Sequence, residues 1–138
     1  MVNLWPGVPA KCLCDKHLNA VLAEYNNLLM PSMRKGHSIK AYLLHGCVDL
    51  PFIYCQVMDC MAEANRRGHE WKYPIPTTAD VKLHGEYFDR YIDEFKDPEF
   101  WGEERRQEMT EMNRRVLAFR CPGCRGRLAE AVAEHNKQ

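Results

Sequence analysis

The stretch Asp15-Lys16-His17-Leu18-Asn19-Ala20-Val21-Leu22-Ala23-Glu24-Tyr25-Asn26-Asn27-Leu28-Leu29-Met30 decides the fold. Its Leu18, Val21, Leu22, Tyr25, Leu28 and Leu29 recur at three- and four-residue spacing, the period that lays one apolar face along an α-helix. Asp15 is placed to cap the start, and Pro31 to end it, because proline lacks an amide donor and restricts Met30 before it. The same period returns downstream. Ser38 leads into a short helix from Ile39 to His45, closed by Gly46, and Pro51 opens another through Val57, Met61 and Ala64, stopped at Asn65-Arg66-Arg67-Gly68. After the His69 to Thr77 loop, Thr78 caps a helix whose Val81, His84, Phe88, Tyr91, Ile92 and Phe95 share a face. Asp97-Pro98 starts a further helix, running past Met109, Met112, Val116 and Phe119 to Cys121-Pro122-Gly123-Cys124, and Leu128 to His135 closes the chain. No segment alternates as a strand does. The expectation is an all-α fold, one compact helical domain over residues 1–138.

Composition sets bounds on function. A chain of 138 residues suits one domain, since much smaller cores bury too little apolar surface. No apolar run approaches the roughly 20 residues of a membrane-spanning helix, and Met1 to Ala10 lacks the form of a signal peptide. A cytoplasmic protein without a membrane partner is expected. Lys/Arg and Asp/Glu cancel at 19 each. Residues 1–75 nevertheless carry eight basic against six acidic groups, 76–111 five against eleven, and 112–138 six against two. Basic ends around an acidic middle permit a positive face built from both ends.

Seven cysteines, five of them in the first half, do not form the even framework of a secreted disulfide scaffold. Cys121-Pro-Gly-Cys124 has the spacing of a two-thiolate zinc knuckle, and Cys12-Leu-Cys14 can supply a second pair. The expected ligands of a structural zinc are therefore Cys12, Cys14, Cys121 and Cys124, joining the two ends of the chain. Free thiols are the alternative; a redox pair would ask for a βαβ context that is missing. Cys47, Cys55 and Cys60 fall at apolar helical positions, and Tyr87, Phe88, Tyr91, Phe95 and Phe100 read as packing.

Four ordered motifs, between about Asn3 and Pro76, carry a resemblance: Asn3-Leu4-Trp5; Asp15-Lys16-His17-Leu18 with Glu24-Tyr25-Asn26-Asn27-Leu28; Lys35-Gly36-His37-Ser38-Ile39-Lys40-Ala41-Tyr42; and Glu63-Ala64-Asn65-Arg66-Arg67-Gly68-His69. They resemble the pyrimidine-dimer DNA glycosylases of the phage endonuclease V type. Residues 77–138, the helical C-terminal part with the knuckle, lie outside it. The resemblance implies base excision from double-stranded DNA by a monomer without a catalytic cofactor. The chain's own amino-terminal amine would attack the deoxyribose C1′, and a carboxylate would assist. An α-amine suits the role because its pKa of about 7.7–8.0 leaves it partly neutral near physiological pH.

Carried onto this chain, with Met1 removed, the nucleophile is Val2. Aligning on Glu24-Tyr25 puts the family's catalytic glutamate at Asn27, whereas its seven-residue spacing from the histidine puts it at Glu24. At roughly 100° per residue Glu24 lies about 20° from His17 around the helix and Asn27 about 80°, so Glu24 is favoured and Asn27 stays open. Arg34, Lys35, Lys40, Arg66, Arg67 and Lys72 are the candidate phosphate contacts, although cations near helix C-termini also answer to the dipole. Trp5, Trp71 or Trp101 could stack on an extruded base. The expected function is a glycosylase with AP-lyase activity on damaged or modified pyrimidines. The alternatives are a non-catalytic, zinc-stabilised DNA-binding module on the same fold and a glycosylase repurposed for another modified base.

Overall fold

The computed structural model describes residues 2–70 and 72–137 and contains helices, with no strand among them. Helix α1 (Asp15–Glu24) passes through a π-helical turn at Tyr25–Leu29 directly into α2 (Met30–Arg34). Pro31 thus lies inside the rod rather than ending it. The wide turn closes with the Met30 N–H on the Tyr25 carbonyl, five residues back, and proline follows at the first turn of α2, where a missing donor is tolerated. The same turn rotates Leu28 off the apolar stripe to 50% exposure, while Leu18, Val21, Leu22, Tyr25 and Leu29 stay buried.

Five more helices follow: α3 (Lys40–Leu44), α4 (Ile53–Arg66), α5 (Thr78–Glu94), α6 (Glu103–Arg120) and α7 (Pro122–Asn136). Short 3-10 turns at Ala10–Cys12, Leu50–Phe52 and Pro98–Trp101 precede α1, α4 and α6. Thr77, one residue before the expected cap, starts α5: its hydroxyl accepts the Asp80 N–H while the Asp80 carboxylate accepts the Thr77 N–H. Helix α7 begins inside the knuckle itself, six residues earlier than Leu128.

α1 packs on α4, and α7 lies against both α6 and the Ala10–Cys12 turn. The aromatic face of α5 ties the first half of the chain together through polar tips: the His84 ring nitrogen and Tyr25 hydroxyl are 2.9 Å apart, Tyr87 donates to the His37 carbonyl at 2.8 Å, and Tyr91 accepts the Ile39 N–H at 2.8 Å. Each such contact lets a buried aromatic keep its hydrogen-bonding group satisfied. Buried Asn113 of α6 reaches the Pro6 and Gly46 carbonyls at 3.0 and 3.3 Å, fastening the C-terminal half to the N-terminal loop. No helix is long and apolar enough to cross a membrane, among the residues described.

A candidate metal centre at the start of helix α1

Cys14 is the N-cap of α1 and His17 its third residue; Cys121 is the N-cap of α7 and Cys124 its third residue. N-cap and third-position side chains face one another across a helix's first turn, the geometry that capping boxes use. Each helix start therefore presents two ligand groups on one side. The packing of α7 against the turn before α1 brings the two pairs together. Their ligand atoms all lie within 4.8 Å of one another.

The His17 Nδ1 is 3.2 Å from Cys14 Sγ and 3.4 Å from Cys124 Sγ, and the Cys14 and Cys121 sulfurs are 3.7 Å apart. A tetrahedron with Zn–S of about 2.3 Å and Zn–N of about 2.0 Å has edges of about 3.8 and 3.5 Å. The donor set can hold a metal ion. Backbone N–H groups complete the surroundings, Cys14 donating to Cys124 Sγ at 3.3 Å and Cys124 to Cys121 Sγ at 3.4 Å. The Cys124 N–H holds the Cys121 thiol below its ordinary pKa, whereas burial pushes Cys124 up to about 12. Gly123 suits the close approach of the two ends: a Cβ there would stand 3.1 Å from the Cys14 Cβ, a tight contact.

Of the four expected ligands, three converge and Cys12 does not. It belongs to the 3-10 turn before extended Leu13, and its thiol is 1% exposed in the core, where burial raises its pKa. His17 takes its place. The Cys14-x-x-His17 spacing, equal to that of Cys121-x-x-Cys124, was the sequence signal for it. Cys47 and Cys60 are buried as expected, but Cys55 is exposed. The centre also brings tail and head together: Arg127 donates to the Lys11 carbonyl at 3.2 Å, and Lys11, Arg114, Arg115 and His135 line an open cleft of about 580 Å³ with Leu128, Ala131 and Val132.

Glu24 is the last residue of α1, so the seven-residue spacing from His17 runs through regular helix and leaves the two on one flank. Burial raises the Glu24 carboxyl above its ordinary pKa, and the backbone N–H of Asn3 facing it draws it back. Val2 is adjacent in the chain and buried. The segment is clamped, with Leu4 donating to the Cys47 carbonyl at 2.9 Å and Gln56 donating to the Leu4 carbonyl. Asn27 lies in the π turn and is exposed. Desolvation lowers the His17 pKa, keeping its ring neutral and able to ligate.

Most of the candidate phosphate contacts already have protein partners. Arg34 pairs with Asp80 at 2.9 Å and Lys40 with Glu94 at 2.6 Å. Arg66 and Arg67 both grip Glu63, a carboxylate 8% exposed. Arg67, itself 10% exposed, also holds Asp15 at 2.9 Å and the Leu13 carbonyl at 2.7 Å, locking the start of α1 onto the end of α4. Lys35 and Lys72 are exposed. Trp71 lies outside the described residues, and Trp101 is packed among Phe88, Phe95 and Phe100. Compared with protein-family models, curated proteins and solved structures, the chain finds no match.

Proposed function

We propose that the chain is a DNA glycosylase with AP-lyase activity, acting as a monomer on damaged or modified pyrimidines in duplex DNA inside the cell. The observation that supports this reading best is the position of Glu24, a partly buried carboxyl at the end of α1 on the same flank as His17, whose pKa burial raises. With Met1 removed, the amine of Val2 attacks C1′ of the damaged nucleotide and the base leaves with the electrons of the glycosidic bond. The sugar ring then opens at C1′–O4′ to give the Schiff base, which acidifies C2′; loss of a C2′ proton in β-elimination breaks the C3′–O bond. Glu24 stabilises the positive charge that develops at the sugar and relays the protons. Its raised pKa suits a group that both takes and returns a proton.

The Cys14, His17, Cys121 and Cys124 centre is assigned to zinc in a structural role, since three thiolates and one imidazole leave no open coordination position. Zinc would hold the C-terminal helical hairpin to the start of α1, and it takes no part in the reaction. This centre also favours a second reading, a zinc-stabilised DNA-binding module without turnover.

Borohydride trapping separates the two readings. Duplex carrying an abasic site should give a covalent protein–DNA adduct that disappears when the amino terminus is blocked; salt-sensitive binding without any adduct selects the non-catalytic module.

A further inference from the structure

The cleft of about 580 Å³ beside the metal centre has three walls, formed by residues 9–12, α6 and α7. Leu128, Ala131, Val132 and His135 line it from α7, at the i, i+3, i+4 and i+7 positions that share one helix face. This is the apolar face of α7, yet Val132 is 54% exposed on it. The other walls supply cations: Lys11 from the N-terminal segment, Arg114 and Arg115 from α6. Elsewhere such groups meet carboxylates, as Arg34 meets Asp80 and Lys40 meets Glu94. Around the cleft they do not. Among the described residues Lys11 and Arg114 have no carboxylate partner, Arg115 has a loose and exposed one in Glu111 at 3.9 Å, and no acidic residue lines the cleft.

An aliphatic wall facing unpaired cations defines its occupant. The lining carries no hydroxyl or amide side chain and no Phe, Tyr or Trp. A sugar would bury hydroxyls there without partners, and a nucleobase would find no large ring to stack on. Duplex DNA would answer the cations and leave Leu128 and Val132 uncovered. We propose that the cleft is a binding site for a free single-chain amphiphilic anion, an aliphatic chain ending in a carboxylate, with the chain along Leu128, Ala131 and Val132 and the head on Arg114 and Lys11. A guanidinium takes a carboxylate through two parallel N–H bonds, and the chain asks for no polar partner. The cleft volume falls within the roughly 300–1,000 Å³ of small-molecule sites. Because its walls come from both ends of the chain, the ligand would join the same two parts that the metal centre joins, and binding stabilises the folded state. The site is independent of the base-excision reading.

The test titrates the full chain with dodecanoate, below its micelle-forming concentration, by calorimetry. One saturable site per chain should appear, and the melting temperature should rise with occupancy. Dodecanol lacks the charge and butanoate lacks the chain, so each should bind at least about tenfold more weakly. Arg114 and Val132 are both exposed. Arg114→Ala and Val132→Asp should therefore melt as the wild type does without ligand, and each should bind dodecanoate at least about tenfold more weakly. Arg114→Lys, which keeps the charge but not the fork, should recover part of the loss. The absence of a saturable site, binding indifferent to both substitutions, or a melting temperature that dodecanoate lowers overturns the proposal. Two further arms use an acidic amphipathic helical peptide of leucine and glutamate and a vesicle of phosphatidylglycerol. If either binds in a manner sensitive to Val132→Asp while dodecanoate does not bind, the proposal is overturned and the cleft belongs to a protein helix or to a lipid surface.

Discussion

Cys14 and Cys121 hold their sulfurs 3.7 Å apart although 107 residues separate them in the chain. Bringing two such distant points together costs loop entropy, which an ion bound by both would offset. The purified protein should contain one equivalent of zinc, and chelation should lower the melting temperature by about 10 °C or more. A metal-free chain of unchanged stability would remove the centre from the account.

Within the centre, the ligand set is open to direct substitution. His17→Cys should keep the metal, because thiolate and imidazole are interchangeable in closed zinc sites. His17→Ala should weaken binding by at least about a hundredfold. Cys12→Ala should leave the stoichiometry unchanged and cost about 1 kcal/mol of packing. Cobalt substitution reads all three, since the thiolate absorption bands count sulfur ligands; loss of a band in Cys12→Ala would restore the set expected from sequence.

The ion pairs predict very unequal effects. Arg67→Ala leaves Glu63 buried without one of its partners and frees the Leu13 carbonyl, so it should cost about 3–5 kcal/mol in denaturant unfolding. Arg34→Ala and Lys40→Ala break exposed pairs, each worth less than about 1 kcal/mol. Equal midpoints for all three variants would contradict the buried role of Arg67.

Glu24 links stability to pH in the direction opposite to most carboxylates. Its folded pKa is raised above the ordinary value of 4.5, so its contribution is fully present below that value and is lost as pH rises through the folded pKa. Glu24→Gln does not titrate. At neutral pH it should match the wild type or melt up to about 3 °C higher, while abolishing base release. A wild-type acid limb of base release should lie above pH 4.5. Full activity in Glu24→Gln would move the carboxylate role elsewhere.

Much of the architecture is legible in local chemistry. The apolar period of Leu18, Val21, Leu22 and Tyr25 requires a helix, Thr78 reads as the cap of α5 one residue past the true cap at Thr77, and Cys121-Pro-Gly-Cys124 announces a thiolate pair wherever it is placed. These are properties of neighbours within one or two turns, which periodicity and spacing encode. Pro31 and Leu28 misled because a single π turn, which periodicity does not mark, changes the register between them. The partners were legible only in part: the meeting of Cys14 with Cys121 and Cys124 was expected, the fourth ligand and the arginine partners were not. Whether Cys12 or His17 completes the centre depends on which side of a 3-10 turn faces α7, and whether Arg67 meets solvent or Glu63 and Leu13 depends on how α4 lies on α1. The sequence by itself determined the helices and three of the ligands; only the tertiary structure decided the fourth ligand and where the arginines pair, because contacts between distant helices are set by packing rather than by spacing along the chain.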